Sequence, residues 1–150
     1  MHVRPVAADE LAALLALIAD YQRFYGVVEP DGERNAVFFG RFVAPSPAGM
    51  LLGAFGDDGS LDGYACLYWT FSSVSATDVV QLNDLYVRGE RRGGGVGEAL
   101  IEAALAVARE RGASCVRWFT AQDNVRAQRL YDRLGAEQSA WFEYELEVLW

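Results

Sequence analysis

The sequence predicts an α/β (α+β) fold: a mixed, mostly antiparallel central sheet of about six or seven strands flanked by helices, in the order β-α-(α)-β-β-β-α-β-α-β. Three observations predict it. Strand-like apolar runs follow one another between residues 50 and 87, joined by the turn-rich stretches GDDGSLDG and SSVSATD, which reads as an antiparallel meander. Two amphipathic helical patterns then alternate with strand-like runs to the C-terminus. A chain of 150 residues with 52% apolar content has room for one sizeable core, so one domain over 1–150 is expected.

HVRPVA opens the chain as an edge-like strand, because Pro5 cannot donate to a central ladder. Asp9 is a candidate N-cap for a helix over about 10–25, with Leu11, Leu14, Leu15, Ile18 and Tyr21 as its apolar stripe. Residues 26–48 carry EPDGERN and APSPAG, loops around a short helix at 35–43. MLLGAF (50–55), GYACLYWTF (63–71) and VVQLNDLYV (79–87) form the meander. Val96, Leu100, Ile101, Ala104, Leu105 and Ala108 mark the face of a helix that stops at Gly112 behind a basic last turn. SCVRWFT (114–120) is a strand. DNVRAQRLYDRLG is a helix with Ala127, Leu130, Tyr131 and Leu134 on one face, and SAWFEYELEV closes the chain with strand alternation.

Composition removes several classes of chemistry. The single histidine, His2, stands at the terminus, which argues against a Ser-His-Asp triad and a histidine-ligated metal. Cys66 and Cys115 lie in apolar strand-like runs and read as buried thiols of a reducing compartment. No run approaches the ~18 apolar residues of a membrane span, and LAALLALIA is amphipathic without a charged leader. A cytoplasmic location away from membranes is expected. A net charge of −8 repels nucleic acid phosphates and attracts cationic small molecules, while also serving solubility.

The stretch ERRGGGVGEAL sets Gly93, Gly94, Gly95 and Gly97 at the start of a helix, where each glycine costs about 1 kcal/mol against alanine. Backbone N–H groups at a helix start lack internal partners, and with the helix dipole they attract anions. No Lys-Ser or Lys-Thr follows, so this is no Walker loop; GxGxxG counted from Gly93 places its third glycine on Glu98. The glycines alone leave a phosphate cradle or a flexible hinge.

Their surroundings decide between the two. Arg92-Gly93-Gly94-Gly95-Val96-Gly97 fits [RQ]-x-x-G-x-[GA], and LNDLYV (82–87) leads into it. Downstream, DNVRAQRLYDRLGA fits N-x-x-A-x-x-[LF]-Y-x-[RK]-x-G through Asn124, Ala127, Leu130, Tyr131, Arg133 and Gly135. The chain resembles the GNAT superfamily of N-acetyltransferases, closely over 79–150, and within it the small-amine and polyamine (spermidine/spermine-type) members.

The resemblance implies transfer of an acetyl group from acetyl-CoA to a primary amine in a ternary complex, with no metal. The diphosphate of acetyl-CoA would rest on Arg92, Gly93, Gly94, Gly95, Val96, Gly97 and Glu98. The pantetheine arm would meet the backbone of Leu85, Tyr86 and Val87, with Asn124 and Ala127 nearby. Tyr131 would be the general acid that protonates the departing sulfur. The base is less direct: a glutamate of the polyamine type is replaced by Asn83. Asp84 is adjacent, though alternation turns neighbouring strand residues to opposite faces. A water chain to Asp84, Glu143 or Tyr144 is open, and Asn83 can still touch the acceptor. Tyr21, Phe24, Tyr25 and Glu29 form an aromatic-acidic cluster suited to a cationic acceptor, with Trp69 and Phe71 as further lining. A protein or peptide N-acetyltransferase and a non-catalytic acyl-CoA sensor are the alternatives. Members of the superfamily often dimerise, so the resemblance leaves a homodimer open with the C-terminal YELEVLW taking part, the alternative being that Trp141 and Trp150 are buried within the monomer.

Overall fold

Alternating apolar residues become strands only where a neighbour completes the ladder, and in this chain five runs do so in order of sequence. A computed structural model describes all 150 residues. Its elements are β1 (His2–Pro5), α1 (Leu11–Phe24), α2 (Gly32–Gly40), β2 (Gly49–Phe55), β3 (Leu61–Ser72), β4 (Thr77–Val87), α3 (Val96–Glu110), β5 (Val116–Arg117) and α4 (Val125–Arg133). The sheet runs β1-β2-β3-β4-β5, antiparallel throughout except for the parallel β4–β5 pair that α3 connects. This is the expected mixed, mostly antiparallel sheet, with five strands in place of six or seven. Met1–Phe119 form one compact unit and Thr120–Trp150 a second.

The missing strand is SAWFEYELEV. Its alternation is intact, but residues 139–150 join no ladder, and Trp141, Phe142, Tyr144 and Leu146 are exposed. Alternation records which side chains a strand would bury; pairing is what makes the strand. The run at 114–120 shrinks to Val116–Arg117 for the same reason, since it pairs β4 only at Val80 and Gln81. Cys115, just before this short edge strand, is exposed, which corrects the expectation of two buried thiols; Cys66 is buried.

The two faces of the sheet are covered by different helices. Leu14, Leu17 and Ile18 of α1 and Phe39 of α2 pack on Leu51, Tyr64 and Cys66. Burying one such aliphatic side chain contributes about 1.5–3 kcal/mol. α3 covers the other face, so tightly that a Cβ on Gly63 would lie 3.2 Å from Val96 Cγ1 and 2.7 Å from the Tyr86 carbonyl oxygen. Only a residue without a side chain lets β3, β4 and α3 meet there.

Two helix starts differ from the expected ones. Asp9 does not cap α1. A 3-10 turn, Ala8–Glu10, precedes the helix, and the Glu10 carboxylate accepts from the Ala7 N–H at 2.9 Å while Arg4 grips it at 2.6 and 2.8 Å. The Arg4 guanidinium holds the Glu10 carboxyl down to about 2. α2 begins earlier than residue 35, because Asp31 accepts from the Arg34 N–H at 3.0 Å. α1 and α2 are tied by a reciprocal amide pair between Gln22 and Asn35, at 2.9 and 2.8 Å.

Candidate active site

The site begins with a break in a strand. Cys66 of β3 faces Asp84 of β4, yet the next residue, Leu67, faces Leu82, so Asn83 is one residue too many. Such a bulge suspends alternation. Asn83 and Asp84 therefore share a face: Asn83 Nδ2 donates to Asp84 Oδ1 at 2.9 Å and to the Tyr68 hydroxyl at 3.1 Å. This corrects the expectation that the two residues point to opposite sides.

Asp84 is only 4% exposed. Burial pushes its carboxyl up to about 6, and the polar hydrogens of Tyr21, Asn83 and Tyr64 oppose that rise. Four titratable groups around it are driven further from ionisation. Burial, reinforced by the Asp84 charge, raises the phenols of Tyr21, Tyr64 and Tyr68 and the Cys66 thiol. At neutral pH the cluster thus holds one carboxylate among neutral phenols and a thiol. A thiol so held is a poor nucleophile.

Tyr21 links this carboxylate to the surface. Its ring lies 4.9 Å from that of Tyr25, 6.1 Å from Tyr64 and 6.2 Å from Tyr86, centroid to centroid. Tyr25 is exposed, and Phe24 packs edge-on against it at 5.2 Å. Tyr21, Tyr25, Asn83 and Asp84, singled out separately in the sequence, are therefore brought into one cluster. Glu29 is exposed on the loop beyond. Trp69 and Phe71 stand elsewhere. They share a parity with Gly63, on the sheet face that α3 covers, and Trp69 is taken up by the Arg111 guanidinium at 3.7 Å and the Ser46 carbonyl at 3.1 Å.

β4 leads directly into the glycine turn. On its outer side it pairs β5 only at Val80 and Gln81, so the edge from Leu82 through Leu85, Tyr86 and Val87 has no strand partner there. A 3-10 turn, Gly89–Arg91, follows, and then Gly93 and Gly95, both at φ 83°. That left-handed conformation disfavours any residue with a Cβ. Gly95 is the N-cap of α3 without a side-chain cap, and a Cβ built on it meets nothing within 4 Å. The result is an open, side-chain-free turn at the positive end of a 15-residue helix. Val96 buries its side chain in the core, so α3 starts from a fixed point, with Gly97 and Glu98 in its first turn. These features fit the diphosphate of acetyl-CoA.

The arginines of this turn divide in role. Arg92 donates from Nε to the Val87 carbonyl at 3.0 Å and places its guanidinium 5.6 Å from the Tyr86 ring centroid. Arg91 pairs with the nearly buried Asp62 at 3.2 Å. Arg88 donates from Nε to the Leu61 carbonyl at 2.7 Å and from its backbone N–H to the Asp62 carbonyl at 2.9 Å. Sequence reasoning missed Arg88 and Asp62. Their only signal was two opposite charges at the ends of adjacent strands. It also missed Tyr64 and Tyr68, which looked like ordinary strand aromatics.

The second unit holds the remaining candidates on α4. Asn124 is its N-cap, with Oδ1 accepting from the Ala127 N–H at 3.3 Å. Ala127, Leu130, Tyr131 and Leu134 are half-buried along one side, as the periodicity predicts. Gly135, at φ 77°, ends the helix. No group of three or more His, Cys, Asp or Glu is placed to hold a metal ion, and no helix is long and apolar enough to cross a membrane.

A β4 strand with an open edge, running into a side-chain-free turn at a helix start, is the architecture of a coenzyme A-dependent acyltransferase. The model of the acetyltransferase (GNAT) family matches residues 14–136, and the chain belongs to that family. It is an N-acetyltransferase by the company it keeps. It is 32% identical over 142 residues to the uncharacterized N-acetyltransferase YhfO of Bacillus subtilis, covering 95% of this chain and 93% of that one. It is 35% identical over 136 residues to the D-amino-acid N-acetyltransferase HPA3 of Saccharomyces cerevisiae, covering 89% and 83%. The crystal structure of a probable acetyltransferase superposes with a TM-score of 0.87 at 30% identity, over 99% of each chain.

Proposed function

We propose that the whole chain, 1–150, works as one domain that acetylates the primary amine of a small cationic molecule, in the manner of the small-amine and polyamine acetyltransferases. The observation that carries this reading is the Asp84 carboxylate, buried beneath Tyr21 and Asn83 and poised at about 6. An alkylammonium has a pKa near 10 and attacks a carbonyl only after losing a proton. Asp84 is ionised at neutral pH and able to receive that proton. Its burial keeps the acceptor from touching it directly, so the proton crosses by water. Tyr21 and Tyr25 offer ring faces to the cation, and Asn83 a polar edge.

Acetyl-CoA, when bound, supplies the activated acetyl thioester. The N–H groups of Gly93 to Gly97 and the start of α3 hold its diphosphate, with Arg92 and Glu98 flanking. The open edge of Leu85, Tyr86 and Val87 lies along the pantetheine, and a backbone N–H near Leu85 polarises the reacting carbonyl. Asn124 and Ala127 position the start of α4, from which the Tyr131 hydroxyl gives its proton to the departing sulfur. The buried, protonated Cys66 supports direct attack in a ternary complex over an acyl-cysteine route. The D-amino-acid substrate in the name of the yeast relative supports a small acceptor over a protein one. The exposed alternating residues from Trp141 to Val148 support a homodimer joined through the C-terminal segment. A cytoplasmic site of action, away from membranes and nucleic acid, belongs to the same reading.

The test is CoA release from acetyl-CoA across a panel of polyamines, lysine analogues, D-amino acids and N-terminal peptides. Turnover with small amines exceeding that with peptides is expected. Binding of acetyl-CoA without turnover on any amine would instead make the chain a sensor.

A further inference from the structure

Tyr64 is fully buried in the middle of β3, and its hydroxyl completes no hydrogen bond of good geometry, although the Asp84 carboxylate is near enough to feel its proton. A buried, unanswered hydroxyl is destabilising, and phenylalanine would fill the same space without that cost. The sheet register shows where the hydroxyl belongs. Tyr64 pairs with Tyr86 and Cys66 with Asp84, so Tyr64 and Asp84 are diagonal neighbours on one face, within reach of a long side chain. The two groups are electrostatically coupled, and the Tyr21 ring closes over both.

We propose that Tyr64 is a positioning residue for acetyl transfer: its hydroxyl and the Asp84 carboxylate together hold the water through which the acceptor ammonium loses its proton. This rests on the function proposed above. One N–H bond of the ammonium breaks and its proton joins the water oxygen. The water passes one of its own protons to Asp84, leaving a neutral amine, an unchanged water and a carboxylic acid. Asp84 fixes one side of the water, with its Oδ1 already held by Asn83. Tyr64 fixes the other, and its phenol stays protonated because burial raises its pKa. The other groups facing this point are Tyr21 from α1, Cys66 and Tyr68 from β3, and Tyr86 from β4. Arg41, just past α2, acts on Tyr68.

The test compares Tyr64→Phe with the unaltered enzyme across the pH profile of kcat/KM, beside thermal melting. The unaltered enzyme is expected to lose activity on the acid side as Asp84 takes up a proton, and Asp84→Asn to lack that limb. In Tyr64→Phe the limb should move to higher pH, with kcat/KM lowered about threefold or more below it. The KM for acetyl-CoA and the melting temperature should hold or rise. An unmoved limb with undiminished kcat/KM would make Tyr64 a packing residue and overturn the proposal. So would a variant that fails to fold, which would make the hydroxyl structural. Absence of turnover in the unaltered enzyme would instead remove the function on which this rests.

Discussion

The Asn83 side chain donates a hydrogen bond to the carboxylate of Asp84 at 2.9 Å, although the two residues are consecutive in one strand. Only the bulge opposite Cys66 and Leu67 makes this contact available. It binds a charge into a place that disfavours charge. The Asp84 pKa is raised from 3.8 to about 6, so the folded state holds the proton more tightly than the unfolded state does. The stability tied to this group is therefore complete below pH 3.8 and is lost as pH rises through 6. The loss amounts to about 3 kcal/mol. Asp84→Asn should raise the melting temperature at pH 8 and change it little at pH 4, while lowering kcat/KM by about a hundredfold or more. Thermal melts at both pH values, read beside CoA release, check both halves. An Asn variant less stable at pH 8 would contradict the desolvation argument.

The glycine turn was legible because its backbone demand shows directly in composition, and α4 because an N-cap, a stripe and a C-terminal glycine coincide. The site's carboxylate was harder to read. Strand alternation is a rule about regular pairing, and nothing in LNDLYV reveals that Asn83 is the extra residue; that depends on which residue of β3 it faces. Tyr64 and Tyr68 were hidden for a similar reason, since a tyrosine in a strand has the same pattern whether it packs or serves a carboxylate. The final strand was over-read, because SAWFEYELEV has the alternation without a ladder partner.

Gly95 and Arg92 share the turn but not the burden of binding. Gly95 sits at φ 83° with open space where a Cβ would point, so valine there strains the backbone and fills the cradle. Arg92 already spends its Nε on the Val87 carbonyl. Arg92→Ala should raise the KM for acetyl-CoA about threefold, and Gly95→Val about tenfold or more, with folding retained by circular dichroism. Equal KM values would count against main-chain recognition.

Asp62 sits under the turn at 6% exposure, where Arg91 meets it at 3.2 Å and its backbone carbonyl receives the Arg88 N–H at 2.9 Å. Asp62→Ala frees Arg91 and loosens the turn from β3. A loss of about 1–3 kcal/mol in unfolding free energy is expected. A several-fold higher KM for acetyl-CoA should accompany it, with kcat at saturation preserved. A drop in kcat alone would place Asp62 in the chemistry instead.

Tyr131 offers the sharpest separation of packing from chemistry. It lies on the half-buried side of α4 with Ala127, Leu130 and Leu134, so its ring has a structural role whatever its hydroxyl does. Phenylalanine keeps that ring and removes the hydroxyl alone. A thiolate leaves less readily than a thiol, and a phenolic hydroxyl can hand its proton to the sulfur as it departs. Tyr131→Phe should therefore cut kcat by about tenfold or more, leaving the KM for acetyl-CoA and the melting temperature almost unchanged. Pre-steady-state CoA release should slow to the same extent, because the lost proton donor acts in the chemical step. A phenylalanine variant with full kcat would remove Tyr131 from the reaction and leave solvent as the source of that proton.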